Sequence, residues 1–248
     1  MNNKKVIAAD LDGTLTESKS LLSAEMAEVL SKILKKYYFA VISGGSYKQY
    51  QKQFLSALHC TPEELKNLYL FPTNGSTCYV HENGEWKQIY NEPLSDEQKK
   101  AIISSLNDAI KQTGLDLSGA YGEIIEDRGS QITFSGKGQE APMEIKKAWD
   151  PDGSKRMAIV SIIKDKIPEL EVRINSVSSI DITKKGIDKA YAIEKIKEIL
   201  HVTDEDILFV GDALYKGGND SAVKKTPVDY IQEDGPHETL ELLKSYLS

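Results

Sequence analysis

Val6-Ile7-Ala8-Ala9-Asp10-Leu11-Asp12-Gly13-Thr14-Leu15-Thr16 is the stretch from which the rest of the chain can be read. Val6 to Ala9 form an unbroken apolar run, the pattern of a strand buried on both faces of a parallel sheet. The run ends in two acids one residue apart. Strand alternation directs Asp10 and Asp12 to the same side as the chain leaves the sheet. Ligands of open α/β sheets bind outside the carboxyl ends of the strands. Two carboxylates that close repel unless a cation or a shared proton lies between them, and a hard divalent cation such as Mg²⁺ suits oxygen donors. The plainer reading is a polar exit from the strand, with Asp12 capping the turn and Gly13 supplying a positive φ.

Working outward, Met26, Val29, Leu30, Ile33 and Leu34 fall on one helical stripe, which predicts a helix over Ser23–Lys36 with Ser23 as N-cap. A second apolar strand, Phe39–Ile42, runs into Ser43-Gly44-Gly45-Ser46. Strand, helix and strand make a βαβ unit, so Ser43 emerges on the same sheet edge as Asp10. Its hydroxyl and the backbone N–H groups freed by the glycines suit an anion, although a strand-to-helix turn without a ligand would look the same. A helix from Ser46 to about Leu58 is expected next. A third strand, Leu68–Phe71, then leads to a hairpin of 78–81 and 86–89 around Asn83-Gly84.

From about residue 91 the pattern changes. A long helix to about Thr113, strand-like pieces at 122–126 and 130–135, a helix at 143–148, an apolar-patterned segment at 157–166 and strands at 171–175 and 179–183 follow. This mixture predicts an α+β module inserted into the first fold. The alternation of strands and helices returns with a helix at 188–200, the apolar strand Ile207–Val210, a short strand near 228–231 and a closing helix from Pro236 to Leu247. The strand at 207–210 also ends in acid, in Gly211-Asp212, with Gly217-Gly218-Asn219-Asp220 beyond. The expected organisation is a core from 1–90 and 186–248 with an inserted domain over 91–185.

The net charge of −7 over 248 residues does not favour nucleic acid or an anionic membrane as a partner. Cys60 and Cys78 provide neither a disulfide framework nor metal-ligand spacing. No charged-then-apolar leader and no apolar run of spanning length is seen, so a cytoplasmic protein is expected.

Three buried strands thus end on one edge in Asp10 and Asp12, Ser43 with Gly44, and Asp212 with Asn219 and Asp220, while Lys184, Lys185 and Lys189 flank the return to the core. Carboxylates for a cation, amides and a hydroxyl for an anion, and a lysine to balance charge describe a phosphoryl-transfer site. No P-loop with its Lys-Ser/Thr ending is present. In this reading Asp10 attacks phosphorus and forms an aspartyl-phosphate. Asp12 protonates the leaving alcohol and then activates water. Mg²⁺ is held by Asp10, the carbonyl of Asp12 and Asp212, with Asn219 and Asp220 of the acidic loop as further metal-site residues.

The four motifs, Asp10-Leu11-Asp12-Gly13-Thr14, Ser43, a downstream lysine and Gly211-Asp212 with Asn219-Asp220, together resemble the haloacid dehalogenase superfamily of phosphotransferases. The resemblance spans essentially the whole chain. It implies a Rossmann-like three-layer α/β core with a parallel sheet and an inserted α+β cap of the C2 type, subtype IIB. Within the superfamily the sequence is most similar to eukaryotic-type phosphomannomutases and their bacterial phosphatase-like relatives. The segments Glu126–Ser135, Ser179-Ile180-Asp181-Ile182-Thr183 and Gly186-Ile187-Asp188-Lys189 carry that likeness. It implies Lys189 as the third-motif lysine, with Lys185 in reserve, and Arg128, Ser179 and Asp181 as contacts to the distal part of a substrate. An arginine found soon after the first motif in the mutases appears here as Lys19, and their second cap arginine has no counterpart in Ser135-Gly136-Lys137-Gly138-Gln139.

A mutase must grip a bisphosphate at both ends while it reorients, and lysine lacks the guanidinium fork for this. The sequence therefore predicts a Mg²⁺-dependent phosphatase acting on a small sugar phosphate, with phosphomannomutase as the alternative and an idle Mg²⁺-binding regulatory module as a more distant one. Arg128 could instead form an ion pair with Glu126 or Asp127. The expected partners are a small phosphorylated molecule and, if the chain is not a monomer, a second copy through the cap.

Overall fold

The computed structural model describes residues 4–248. Their contacts fall into two units, one formed by the chain up to Asn91 together with Asp188–Ser248 and the other by Glu92–Ile187.

The first unit begins with β1 (Val6–Asp10), α1 (Ala24–Ile33) and β2 (Tyr38–Ile42). Ser23 caps α1, its Oγ accepting the Met26 N–H at 3.2 Å. Then come α2 (Tyr47–Gln53), α3 (Pro62–Leu65), β3 (Leu68–Phe71), β4 (Thr77–Glu82) and β5 (Glu85–Asn91). The β4–β5 turn places Asn83 at φ 54° and Gly84 at φ 83°, the left-handed pair that a two-residue hairpin loop requires.

The second unit contains α4 (Asp96–Thr113), β6 (Ile125–Asp127), β7 (Gln131–Ser135), α5 (Met143–Trp149), α6 (Ser154–Lys166), β8 (Leu170–Asn175) and β9 (Ser179–Lys184). The chain returns to the first unit with α7 (Lys189–Leu200), β10 (Ile207–Gly211), β11 (Asp229–Gln232) and α8 (Pro236–Ser245).

In the first unit the sheet order is β11-β10-β1-β2-β3-β4-β5. The strands from β11 to β3 are mutually parallel, β4 runs antiparallel to β3, and β5 antiparallel to β4. β1 lies between β10 and β2, with Ala9 opposite Val210 on one side and Val41 on the other. Alternate residues of the central strands pack on opposite sides, as two-sided burial demands. Ile7, Ala9, Val41 and Val210 meet Met26, Leu30 and Ile33 of α1. Val6, Ala8, Ala40 and Phe209 meet Ala192, Ile193 and Ile196 of α7. This is the three-layer α/β arrangement that the resemblance implied, built on the parallel sheet that the alternation of strands and helices predicted.

The helix after Ser46 stops at Gln53, short of Leu58. The Gln53 carbonyl accepts the Leu22 N–H at 2.9 Å instead of continuing the helical ladder, and Leu55–Ala57 form a 3₁₀ turn.

The second unit is a four-stranded antiparallel sheet, β6-β7-β9-β8. Ile132, Phe134, Ile180 and Ile182 share a core with Ile102 and Leu106 of α4 and Ile159 and Ile163 of α6. The intervening residues, among them Thr133 and Asp181, form a polar face. The apolar-patterned stretch from Met157 is helical. Asp150 starts that helix in place of a capping side chain at Gly153, accepting the backbone N–H groups of Lys155 and Arg156 at 3.0 and 3.2 Å and Arg156 Nε at 2.7 Å. Among the described residues no helix is long and apolar enough to cross a membrane.

Candidate active site

Because β1, β2 and β10 are adjacent and parallel, their carboxyl ends lie side by side, bringing Asp10, Ser43 and Asp212 to one sheet edge. Gly13, at φ +92°, turns the chain there. A Cβ on it would lie 2.7 Å from Asp212 Oδ2, so the close approach of the two segments requires glycine. Thr14 stitches them together, its Oγ1 donating to Asp212 Oδ1 at 3.1 Å and accepting the Asp212 N–H at 3.0 Å.

Lys189, in the first turn of α7, is fully buried beneath this edge. Its Nζ lies 2.6 Å from Asp10 Oδ1 and donates a short hydrogen bond to Asp220 Oδ1. Asp220 Oδ2 accepts the Ala213 N–H at 2.9 Å, which closes the 212–220 loop back on itself. Carboxylate oxygens of Asp10, Asp212 and Asp220 all come within 4.8 Å of one another. Lys189 thus partners Asp10 Oδ1, while Oδ2 of the buried Asp10 carboxylate has no hydrogen-bond partner among the described residues.

The electrostatics follow from this crowding. Burial pushes Asp10 well above the usual carboxylate range; Lys189 opposes the shift, and Asp220 and Asp212 reinforce it. Asp212 is raised in the same way, by burial and then by Asp220. Burial alone would lower Lys189, but the two acids beside it outweigh that effect and hold it above its ordinary value, so it carries its charge. Three carboxylates face one ammonium, and a divalent cation would remove the imbalance. Hard oxygen donors and an unpartnered buried carboxylate oxygen fit such an ion.

Asp12 is not part of the acidic group. Its Oδ1 accepts the Lys19 N–H at 2.6 Å and the Gln53 side-chain amide at 2.7 Å, so the carboxylate points toward the connection after β1. Lys19 thus enters through its backbone, at φ 59°, while its side chain is exposed. Ser43 is buried, and its Oγ accepts the Gly45 N–H at 3.2 Å. Asn219 is half-buried beside Asp220, and Lys185 is exposed. Gln53 is the contributor that motif reading missed. Its place three positions after Tyr50 fits a helical stripe, but nothing in the sequence sets it apart from Gln49 and Gln51.

The haloacid dehalogenase-like hydrolase family matches residues 7–220. The chain belongs to this family. Among its relatives, a phosphomannomutase of Schizosaccharomyces pombe is 27% identical over 231 residues, covering 90% of this chain and 86% of that protein. Phosphomannomutase 1 of Dictyostelium discoideum is 27% identical over 223 residues, covering 88% and 86%. Among solved structures, an N-terminally truncated, IMP-bound IMP-nucleotidase of Plasmodium falciparum has a TM-score of 0.70 at 17% identity, covering 98% of this chain and 68% of that one. At that identity the likeness is one of fold.

In the second unit of this haloacid dehalogenase-like protein, Ser179 and Asp181 lie buried on β9. Asp181 Oδ1 accepts from Thr133 at 2.8 Å and Oδ2 from the Asn175 amide at 2.6 Å. Arg128 donates through Nε and Nη2 to Glu126 Oε2 at 2.8 and 2.6 Å, and Nη2 reaches Gln139 Oε1 at 3.4 Å. The ion pair with Glu126 foreseen for Arg128 is therefore formed.

Proposed function

We propose that the protein hydrolyses a small sugar phosphate, or a related phosphate monoester, through an aspartyl-phosphate on Asp10, with Mg²⁺ as cofactor. The observation that carries this reading is the buried Asp10 carboxylate, paired through Oδ1 with Lys189, its Oδ2 without a hydrogen-bond partner among the described residues, and grouped with Asp212 and Asp220. Asp10 supplies the attacking oxygen. The Ser43 hydroxyl and the Gly44 N–H bind the transferred phosphoryl group. Lys189 holds Asp10 in place and offsets charge on that group. Asp12 delivers a proton to the leaving alcohol and later takes one from water. Asp10, Asp212 and the Asp12 carbonyl would hold Mg²⁺, whose chemistry is to neutralise charge developing at phosphorus, while Asn219 and Asp220 shape the loop around it.

The test is release of inorganic phosphate across a set of sugar phosphates. We expect turnover with Mg²⁺ and none with chelator. Asp212→Ala should raise the Mg²⁺ concentration for half-maximal rate by about tenfold or more, as loss of one charged ligand implies. A rate indifferent to chelator would overturn the metal-dependent reading, because several carboxylates would then face an anionic substrate unshielded.

Phosphomannomutase is the second reading, and the similarity to proteins of that name favours it. Arg128 weighs against it: its guanidinium is engaged by Glu126, and glutamine stands at position 139 in the stretch without the second arginine. Product analysis on mannose 1-phosphate, with and without a hexose bisphosphate, separates the two activities. If Arg128 contacts the distal part of the substrate, Arg128→Ala should cost about 1–3 kcal/mol in kcat/KM on a phosphorylated sugar. It should cost far less on p-nitrophenyl phosphate, which has no distal part to hold. Equal losses on both would make Arg128 a structural ion-pair residue.

A further inference from the structure

We infer that Gln53 is a positioning residue for Asp12, fixing which of its carboxyl oxygens carries the proton. The inference rests on the acid–base role proposed for Asp12. The Gln53 amide nitrogen donates to Asp12 Oδ1 at 2.7 Å and to Thr16 Oγ1 at 3.2 Å. Thr16 Oγ1 donates its own hydrogen to the Leu11 carbonyl at 3.3 Å, so it accepts from Gln53. Both partners of the amide nitrogen are therefore acceptors, which fixes the orientation of the amide. The Lys19 N–H donates to the same Asp12 oxygen at 2.6 Å.

An oxygen that accepts two N–H donors has no room for a proton, so the proton Asp12 transfers sits on Oδ2. In the first step the Asp10 oxygen bonds to phosphorus and the bond to the leaving oxygen breaks. The leaving oxygen keeps the electron pair and takes the proton from Asp12 Oδ2. In the second step a water oxygen attacks phosphorus, its proton passes to Asp12 Oδ2, and the bond to Asp10 breaks. Without Gln53 the carboxyl group can turn about its own axis, and the proton spends part of its time on the wrong side.

Gln53 is well built for this task. It is buried at the end of α2, and its carbonyl is tied to the Leu22 N–H at 2.9 Å. One turn earlier, the Tyr50 hydroxyl lies 3.1 and 3.2 Å from the carbonyls of Val41 and Phe71, docking α2 onto β2 and β3. The other end of α2 follows directly from the Ser43–Ser46 loop. A single short helix thus links the proposed phosphoryl-binding turn to the support of the acid.

The test compares kcat/KM on p-nitrophenyl phosphate and phenyl phosphate, which share a shape but differ in how much the departing oxygen needs a proton. This ratio reports only the steps up to alcohol release. Gln53→Leu should lower kcat/KM about tenfold or more on phenyl phosphate and by no more than about threefold on p-nitrophenyl phosphate. Gln53→Met, unbranched and of similar length, gives the same comparison should the leucine variant fold poorly. Asp12→Asn should show the same asymmetry, but larger. If Asp12→Asn shows it and the Gln53 variants lose equally on both substrates, the positioning role is overturned and the acid role of Asp12 stands. If Asp12→Asn itself loses equally on both, the acid reading falls and this inference falls with it.

Discussion

Asp10→Asn is expected to abolish turnover while leaving the fold intact. The amide is no nucleophile toward phosphorus, and the loss should reach about 10⁴-fold, or about 5 kcal/mol, in kcat/KM. Stability should move the other way. Burial and the neighbouring Asp220 and Asp212 raise Asp10, so its ionised form is disfavoured in the folded protein when no divalent cation is bound. A group raised on folding contributes stability below its unfolded pKa that is lost as pH rises through the folded one. At neutral pH the neutral asparagine escapes that loss. In chelator, the melting temperature of Asp10→Asn should therefore equal or exceed that of the wild type, and the difference should shrink toward acidic pH. Residual turnover within about tenfold of wild type, after a control for deamidation, would remove Asp10 as the nucleophile. A lower melting temperature would mean that the ion pair with Lys189 outweighs burial and repulsion.

The same balance explains which parts of the site could be read from the sequence. Asp10 and Asp212 each follow an unbroken apolar run, so local pattern alone put both at strand ends, and parallel pairing put the ends together. The hairpin turn at Asn83-Gly84 and the N-cap at Ser23 were legible because a single residue type satisfies a local backbone demand. Gln53 was not legible. It lies in Tyr47-Lys48-Gln49-Tyr50-Gln51-Lys52-Gln53, where three glutamines look alike, and its partner Asp12 is 41 positions away. The early end of α2 has a similar origin, since the Leu22 N–H that takes the Gln53 carbonyl comes from a distant segment. In α6 the apolar positions Ile159, Val160, Ile162 and Ile163 bunch together instead of marking one stripe, and the helix start depends on Asp150 and Arg156 folding back on it. Asp12 shows the limit most clearly: its place two residues after Asp10 was plain, but the direction of its carboxylate is set by Lys19 and Gln53.

Lys189→Met should have the other large effect, and it tests the charge balance directly. The ammonium is fully buried between Asp10 and Asp220, and methionine matches its length without its charge. Removing one partner from a buried ionic group leaves the others uncompensated, at a cost of about 3–5 kcal/mol. In chelator at neutral pH the variant should melt well below the wild type. Because Lys189 lowers Asp10, its loss lets Asp10 rise further, so the stability deficit should shrink as pH falls and the carboxylates protonate. Mg²⁺ should recover part of the deficit, since an ion bound only by the folded state stabilises it in proportion to its occupancy. Turnover should not recover with stability. The cation can replace charge, but it cannot replace the hold that Lys189 has on Asp10 and Asp220 together, and a loss of about a thousandfold should persist at saturating Mg²⁺. Lys185→Met, on an exposed side chain, should change stability by no more than about 0.5 kcal/mol and serves as the control. If Lys189→Met melted with the wild type in chelator, the buried carboxylates would already be neutral without the ammonium. A compensating cation would then have nothing to neutralise, and the case for Mg²⁺ at this edge of the sheet would fail with it.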